Sequence, residues 1–312
     1  MIIDRLLDLG FERADIAPTA TECLKIDRNT VIVTTSRPAM GTLVSVSALG
    51  PAQGLLDEAI GRAFGELDRL IAIFSRFEPA SALTTLNDTG RLDGPPPELA
   101  YVVARGLRYH AMTRGAFDIS VEPLLRPGAA LADALALVGA EHVAASNGAI
   151  RLVKEGMGLT LDGIAKGYIV DAIARALTRG GVHSYLINAG GDIRSAGARE
   201  NGRPWTVGVW DPDAPGLFPD VIHLANAAVA TSGKYERGNH IVDGVTGRSP
   251  DHHVSVSVLA PTAMAADALA TALFVLDAPR GLALVESIAQ CECLILDSDH
   301  RHFRSSGWRK EQ

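Results

Sequence analysis

Two side chains toward the C-terminus carry oxygen atoms that could bind a metal ion. Asp267 and Thr271 are four residues apart in a run with the composition of a helix, so both lie on one face, one turn from each other. A carboxylate and a hydroxyl are hard oxygen ligands of the kind that Mg²⁺ prefers. An Asp and a Thr at this spacing are also common by chance on solvated helix faces, and the pair taken alone favours that interpretation.

Glycine occurs beside polar residues in four short segments that could bind a phosphate-containing ligand: 40–42, 163–167, 190–192 and 232–233. Glycine allows close backbone approach and positive φ, which binding a diphosphate through N–H groups requires. Segment 163–167 leads from a predicted strand into a predicted helix, so the N–H groups at the start of that helix and the Lys166 side chain could hold an anion. Four ordinary tight turns would give the same pattern, and none is a G-x-G-x-x-G or Walker A sequence.

Histidine is the third residue type with possible chemistry, and the sequence has nine. His240 lies in the polar stretch 232–243, where it could act as a general base; a histidine in a surface loop fits this pattern equally well. His252 and His253 are adjacent, but no acid-and-histidine spacing accompanies them, which argues against zinc. The absence of a G-x-S-x-G sequence gives serine hydrolysis little support.

The elements that must position these residues alternate irregularly along the sequence. Apolar residues at helical spacing predict helices over 55–74, 98–113, 168–177 and 262–275. Alternating residues predict strands, including one at 159–162, and turn-forming residues predict a loop over 87–97. Because there is no βαβ period, repeat or Pro-rich linker, the pattern indicates one α+β unit with two lobes.

Composition excludes several classes of protein. The 312 residues are 47% hydrophobic and 21% charged, which is typical of a globular protein and not of a disordered one. A net charge of −7 without a basic cluster argues against a nucleic-acid-binding face. With 5% aromatic residues, a stacking platform for single strands is also disfavoured.

Cysteine usage and hydropathy limit the compartment. Cys23, Cys291 and Cys293 form no CxxC pair, so neither a disulfide framework nor a zinc site is predicted, and the last two are expected to be buried thiols. The most apolar run, 263–276, is too short to span a bilayer, so no transmembrane segment is expected. The N-terminus lacks the basic start and apolar centre of a signal peptide, which predicts a cytoplasmic protein.

The sequence resembles the ApbE family, the FAD:protein FMN transferases, from about residue 37 to residue 276. Each motif is weak alone, but their order and spacing are specific. The motifs are Met40–Thr42, Phe74–Ser81 with Leu86-Asn87, Gly115–Asp118, Gly163–Tyr168 with Asp171, Asn188–Asp192, Thr231–Gly233 with His240–Asp243 and Thr246-Gly247, and Ala266–Leu273.

This resemblance implies a fold, a reaction and a set of site residues. The fold is α+β, with ApbE-like (T-fold-like) sheets packed with helices; residues 1–28 form an N-terminal arm and 29–312 the FAD-binding transferase domain. The implied enzyme takes FAD as its substrate with Mg²⁺ and moves FMN to a Thr or Ser hydroxyl of a target flavoprotein, releasing AMP. The implied metal ligands are Asp267, Thr271 and the Ala165 carbonyl, and the catalytic residues are His240 and Asp267. Positions that contact the flavin nucleotide fall on Met40, Phe77, Ala116, Phe117, Asp118, Asp162, Lys166 and Tyr168.

Two alternative functions stay open at this point. Water could replace the protein hydroxyl, giving an FAD pyrophosphatase that forms FMN and AMP, or the protein could bind FAD without turnover. Asp267 and Thr271 argue against the second alternative, because passive binding does not require a metal. Many relatives are exported lipoproteins, and Cys23 lacks the small apolar neighbours of a lipidation signal; a periplasmic protein whose leader is missing is the alternative to a cytoplasmic one.

Overall fold

Helices and antiparallel strands alternate in a computed structural model that describes residues 19–146, 148–209, 220–233 and 240–308. Over these residues the α-helices are α1 Gln53–Phe74, α2 Ala82–Thr89, α3 Pro97–Met112, α4 Leu131–Ala136, α5 Ala165–Arg179, α6 Ala263–Val275 and α7 Ala278–Glu286, with short 3₁₀ turns at Glu122–Leu125 and Ala140–His142. The strands are β1 Ala20–Lys25, β2 Val31–Ala39, β3 Thr42–Gly50, β4 Arg91–Asp93, β5 Val143–Ser146, β6 Ala149–Leu152, β7 Ser184–Ala189, β8 Asp192–Ala196, β9 Trp205–Val209, β10 Asp220–Leu224, β11 Ala228–Gly233, β12 His253–Ala260, β13 Glu292–Asp297 and β14 His302–Arg304.

Most of the strands belong to one large antiparallel sheet. Within the described ranges it has nine strands in the order β1-β2-β3-β7-β8-β11-β12-β13-β14, while β4-β6-β5 and β10-β9 form two small sheets. Helices α1, α5 and α6 pack together over one face of the large sheet. Alternate residues of β11 point to opposite faces: Ala228 and Ala230 join this helix-side core, whereas Val229 joins a second core with Trp308 and the β9–β10 pair. Both faces of the sheet are therefore covered near β11.

The predicted α+β class is confirmed, and so is the predicted helix that carries Asp267. The helix predicted to start at residue 168 begins earlier, at Ala165. The proposed arm over residues 1–28 lies partly outside the described residues, but Ala20–Lys25 forms β1 and pairs with β2. The boundary near residue 28 stays a prediction.

The strand predicted at residues 159–162 is wrong, because a side chain takes the place of a partner strand. The Asn87 side-chain amide donates to the Leu159 carbonyl at 2.9 Å, and its oxygen accepts from the Leu159 N–H at 2.8 Å. These two bonds satisfy the backbone of Leu159 without a ladder. Asn87 itself lies in α2, which occupies the first part of the loop predicted over 87–97; β4 occupies another part.

The predicted burial of two cysteines agrees with the structure. Cys291 and Cys293 are both buried free thiols, Cys293 in β13 and Cys291 just before it. Burial raises the pKa of Cys291 to about 11 and that of Cys293 to about 12, so both stay protonated and unreactive near neutral pH. Among the helices of the described residues, none is long and apolar enough to cross a membrane.

His253 in β12 is a buried histidine whose environment disfavours protonation. The side chain is buried, and its Nε2–H donates to the Leu276 carbonyl at 2.8 Å, just after the end of α6. Its Nδ1 is buried without a hydrogen-bond partner among the described residues, so a proton there would be a buried charge without an acceptor. Burial accordingly lowers the pKa of His253 to about 4.

We expect the free energy of unfolding to fall as the pH drops from about 6.5 to about 4. In this window the unfolded protein binds a proton at His253 that the folded protein excludes; above it the contribution of neutral His253 is fully present. Urea unfolding at pH 7 and pH 4 tests this. His253→Gln keeps a donor for Leu276 but does not titrate, so it should lose ~3 kcal/mol less than the wild type over this window.

The neighbouring histidine supplies the control for this experiment. His252 also donates to the Leu276 carbonyl, at 3.0 Å, but it is only partly buried. His252→Gln should therefore keep most of the acid sensitivity of the wild type. The loss of stability should be somewhat smaller, because the His252 ring lies 4.3 Å from that of His253 and its charge helps to lower the pKa of His253. Equal acid sensitivity of the wild type and His253→Gln would show that His253 does not cause the loss.

Candidate active site

Two adjoining cavities lie where the N-terminal ends of α5 and α6 approach β8 and β11. The inner cavity has a volume of about 70 Å³ and the outer cleft about 550 Å³. Asp162, Lys166 and His240 line both, so the cavities adjoin at these residues. Of the other predicted site residues, all but Tyr168 line one cavity or the other: Ala116, Phe117, Asp118, Asp267 and Thr271 line the inner cavity, and Met40, Phe77 and Ala165 line the outer cleft.

Asp267 is a buried acid at the wall of the inner cavity. It is 5% exposed, and its Oδ2 accepts a hydrogen bond from the backbone N–H of Gly167 at 2.9 Å. Gly167 is the third residue of α5, so the N–H group is one of the few that a helix leaves without an internal acceptor. The positive end of the α5 dipole also favours a carboxylate at this position.

Thr271 lies one turn further along α6, on the face that carries Asp267. The backbone of Gly163 approaches it so closely that a Cβ on residue 163 would lie 2.8 Å from the Thr271 Oγ1. The same Cβ would lie 3.3 Å from the Phe117 ring. Glycine at position 163 therefore leaves the space beside the Thr271 hydroxyl open, which a larger residue would fill.

The donor atoms in this region fit Mg²⁺. A buried carboxylate and a hydroxyl share one helix face, and the space beside the hydroxyl is open. Both are hard oxygen donors of the type that Mg²⁺ takes. The third predicted ligand, the backbone carbonyl of Ala165, belongs to the first residue of α5 and lines the outer cleft, next to Lys166, which lines both cavities.

Lys166 brings positive charge to the junction of the two cavities. Its Nζ lies 3.7 Å from the Asp192 Oδ2, and Asp192 is 1% exposed. Asp192 follows Gly190 and Gly191, whose φ values of 61° and 96° form the tight turn between β7 and β8. Sequence reasoning grouped residues 190–192 with the possible phosphate-binding segments but gave Asp192 no role of its own, whereas Asp192 lines the inner cavity. An acid directly after a Gly-Gly turn is the signal that could have identified it.

Asp118 is held rigidly at the inner cavity. Its Oδ1 accepts from the N–H of Ser120 at 2.7 Å and from the Ser120 hydroxyl at 2.6 Å. Its Oδ2 lies 3.5 Å from the Nε2 of His110. Hydrogen bonding to Asp118 and its negative charge raise the pKa of His110 above the ordinary value. The fixed carboxylate is suited to accepting a hydrogen bond from a ligand.

Arg76 connects two of the predicted nucleotide contacts. Its Nε donates to the Asp162 Oδ2 at 2.9 Å, and its guanidinium carbon lies 4.2 Å from the centre of the Phe77 ring. Phe77 is 67% exposed, so the cation–π contact with Arg76 places an otherwise solvated ring at the mouth of the outer cleft. Arg76 lies within one of the family motifs but was not predicted as a site residue.

Tyr168 lies outside both cavities. Its ring packs edge-on against Phe74, with 5.5 Å between ring centres, and contacts the Tyr101 ring in a tilted arrangement at 5.9 Å. The Arg175 guanidinium lies over the Tyr168 ring at 5.3 Å from its centre. Phe74 lines the outer cleft, so Tyr168 supports the wall of the cleft. A direct contact of Tyr168 with the flavin nucleotide stays a prediction.

His240 is the predicted base, and it lines both cavities. Residues 234–239 before it lie outside the described part of the protein. After it, Asp243 closes a turn: its side-chain oxygens accept from the N–H of Val245 and the hydroxyl of Thr246, both at 2.9 Å. The Gly247 N–H donates to the Asp243 carbonyl at 2.7 Å. These bonds fix the segment that follows His240.

Comparisons with known proteins agree with this geometry. A model described as the ApbE family matches residues 40–295. The protein is 28% identical to the FAD:protein FMN transferase of Haemophilus influenzae over 309 aligned residues, covering 88% of this chain and 89% of that protein. It is 33% identical to the FAD:protein FMN transferase of Escherichia coli K12, covering 68% and 69%. The solved structure of the flavin transferase ApbE from Vibrio cholerae is similar to it with a TM-score of 0.77 and 27% identity, covering 93% and 99%.

Proposed function

This chain belongs to the ApbE family, and from that premise we propose that it is a Mg²⁺-dependent FAD:protein FMN transferase. Its substrates are FAD and a flavoprotein with an accessible Thr or Ser, and its products are the flavinylated protein and AMP. The relatives whose names carry this activity match the chain over most of their own lengths, which supports the same reaction here.

One observation carries the proposal: the candidate base, the cation and the hard oxygen ligands converge although they are far apart in sequence. His240 and Lys166 line both cavities, while Asp267 and Thr271 line the inner one. Transfer of FMN from a dinucleotide to a hydroxyl needs a base, positive charge and oxygen ligands at one diphosphate.

In the proposed reaction the protein binds FAD across the junction of the two cavities. Phe77 and Met40 contact the rings of FAD through their apolar side chains, and Asp118 accepts a hydrogen bond from the nucleotide. His240 takes the proton of the acceptor hydroxyl, and the hydroxyl oxygen forms a bond to the phosphorus on the FMN side. The phosphorus–oxygen bond to AMP breaks, and AMP leaves with the bridging oxygen. Lys166, oriented by Asp192, neutralises charge on the diphosphate.

The proposed metal ligands are Asp267, Thr271 and the Ala165 carbonyl. Bound there, Mg²⁺ would stabilise the negative charge that develops on the diphosphate oxygens. The protein prepares this site by burying Asp267 against the N–H of Gly167 and by leaving open space beside Thr271.

The experiment that tests the proposal measures AMP release from FAD with Mg²⁺, with and without a Thr-containing acceptor domain, while mass spectrometry follows the acceptor. AMP together with an acceptor that gains the mass of FMN supports the transferase. AMP and free FMN in both reactions would replace it with an FAD pyrophosphatase. FAD binding without AMP, tested over several acceptor domains, would leave a non-catalytic FAD-binding protein.

His240→Ala should slow transfer to the acceptor by ~10²-fold if His240 takes the proton of the hydroxyl. FAD affinity should stay within a few-fold of the wild type, because the proposed nucleotide contacts at Phe77 and Asp118 remain. The measurement is the single-turnover rate of acceptor flavinylation at saturating FAD and Mg²⁺.

His302→Ala is the matched control for this variant. His302 is exposed in β14 and outside both cavities, so its loss should leave the transfer rate unchanged. A transfer rate of His240→Ala equal to that of the control would remove His240 from the mechanism and leave proton removal to another group.

A further inference from the structure

Helices α5 and α6 cap each other's N-termini with buried carboxylates. Asp267 of α6 accepts from the N–H of Gly167 in α5 at 2.9 Å. In return, Asp171 of α5 accepts from the N–H of Ala263 at 2.9 Å and from the N–H of Met264 at 3.0 Å, the first two residues of α6. Asp171 is four residues after Gly167, and Asp267 is four residues after Ala263, so each carboxylate lies one turn beyond the point where the two helices meet.

The backbones of the two helices touch between these caps. A Cβ on Gly167 would lie 2.4 Å from the carbonyl oxygen of Ala263 and 2.8 Å from the Cα of Met264. No side chain therefore separates the helices at this point. The first turns of α6 and α5 are therefore held together by this backbone contact and by the hydrogen bonds on either side of it.

Arg194 anchors Asp171 to the large sheet. From β8, its guanidinium lies 2.5 Å from the Asp171 Oδ1 and donates to the Pro261 carbonyl at 3.2 Å, two residues before α6 begins. The Asp171 side chain is 7% exposed and that of Arg194 is 23% exposed, so the pair is largely shielded from solvent. Thr262 caps the N–H of Ala265, and Asp171 supplies the acceptors for the two N–H groups before it.

We propose that Asp171, held by Arg194, is a positioning residue that sets the rotation of α6 and so aims Asp267 and Thr271 into the inner cavity. Asp267 stands one turn, and Thr271 two turns, after the N–H groups that Asp171 holds. Rotation of α6 about its axis would swing both proposed metal ligands away together. This inference rests on the metal site of the proposed function.

The expected effect is on metal affinity. Asp171→Asn keeps the shape of the side chain but loses the charge paired with Arg194, and it places an amide N–H₂ against one of the N–H donors of α6. Loss of residues that orient metal ligands typically weakens metal affinity by ~10- to 100-fold. We expect the Kd for Mn²⁺, a spectroscopic substitute for Mg²⁺, to rise ~10-fold or more in Asp171→Asn and in Arg194→Gln.

The test is a titration with Mn²⁺ alone, followed by the electron paramagnetic resonance signal of the free ion, at a temperature where every variant is folded. Asp220→Asn is the control, because Asp220 is another buried acid, bound to Arg304 at 3.0 Å and to the indole N–H of Trp308 at 3.0 Å, outside both cavities. It should lower the melting temperature but leave the Kd for Mn²⁺ unchanged. Asp267→Asn in the same series identifies the site that is being titrated.

Each result of this series decides between named outcomes. A raised Kd in Asp171→Asn and Arg194→Gln, with an unchanged Kd in Asp220→Asn, supports the positioning role. A Kd equal to that of the wild type in both variants overturns it while leaving the metal site intact; if Asp171→Asn does not fold, Arg194→Gln alone decides. If the wild type binds no Mn²⁺, or Asp267→Asn binds it as tightly, the proposed metal site fails and this inference falls with it.

Discussion

Asp267→Asn is expected to lower the rate of AMP release from FAD by at least ~10³-fold, because a metal ion contributes several kcal/mol of charge stabilisation to such a transition state. The amide oxygen of Asn can still accept the hydrogen bond from Gly167 that Asp267 accepts at 2.9 Å. The helix contact should therefore persist, and the melting temperature should stay close to that of the wild type. What is lost is the negative charge of the proposed metal ligand.

Three measurements separate this effect from misfolding: AMP release at saturating FAD, FAD affinity by fluorescence without metal, and the melting temperature. We expect the rate of AMP release to fall by at least ~10³-fold, while FAD affinity and the melting temperature change little. Asp220→Asn, which also neutralises a buried acid outside both cavities, should retain the wild-type rate of AMP release. AMP release by Asp267→Asn within a few-fold of the wild type would end the metal assignment.

The site residues that sequence reasoning could place were those joined by a regular period. A spacing of four within a predicted helix put Asp267 and Thr271 on one face, and the structure has both in α6, lining one cavity. The glycine-rich segment 163–167 was predicted to begin a helix whose N–H groups could hold an anion. The observed acceptor is the carboxylate of Asp267, which lies 100 residues further along the sequence from Gly167.

Residues whose partners depend on tertiary contacts could not be placed in this way. The alternation at residues 159–162 has the pattern of a strand, but the two hydrogen bonds of the Asn87 side chain replace the ladder. Helix α2 was missed because it has only Leu83 and Leu86 as buried residues. Its signals were local caps: the Ser81 hydroxyl accepts from the Thr84 N–H at 2.9 Å, and Gly90 ends it with φ of 68°.

Helix α5 shows how a tertiary contact can override local propensity. Sequence reasoning predicted a helix only from residue 168, after the glycines at positions 163 and 167, and glycine has a low helix propensity. In the structure α5 begins at Ala165, where its N-cap residue, Ile164, makes no side-chain cap. Asp267 supplies the acceptor from α6 instead. The proposed metal ligand therefore also stabilises the helix that bears Lys166, so the fold and the site share one hydrogen bond.

The same crossing makes Gly167→Ala a strongly disruptive substitution. Its Cβ would lie 2.4 Å from the oxygen and 2.6 Å from the carbon of the Ala263 carbonyl. These are backbone atoms at the start of a buried helix, so they cannot rotate away, and α5 and α6 must separate. We expect a loss of about 3 kcal/mol or more in the free energy of unfolding, measured by urea denaturation.

Separation of the helices would also lengthen the hydrogen bonds on both sides of the contact, which join Gly167 to Asp267 and Ala263 to Asp171. AMP release by the folded fraction of Gly167→Ala should therefore fall ~10²-fold, as expected when reacting groups are displaced by about 1 Å. Gly61→Ala is the matched control, because Gly61 lies in α1 with no neighbour within 4 Å of an added Cβ. Alanine there should stabilise the protein by ~1 kcal/mol and leave the rate unchanged. If both alanine variants unfolded at the same urea concentration, close approach at Gly167 would not be what fixes the α5–α6 crossing.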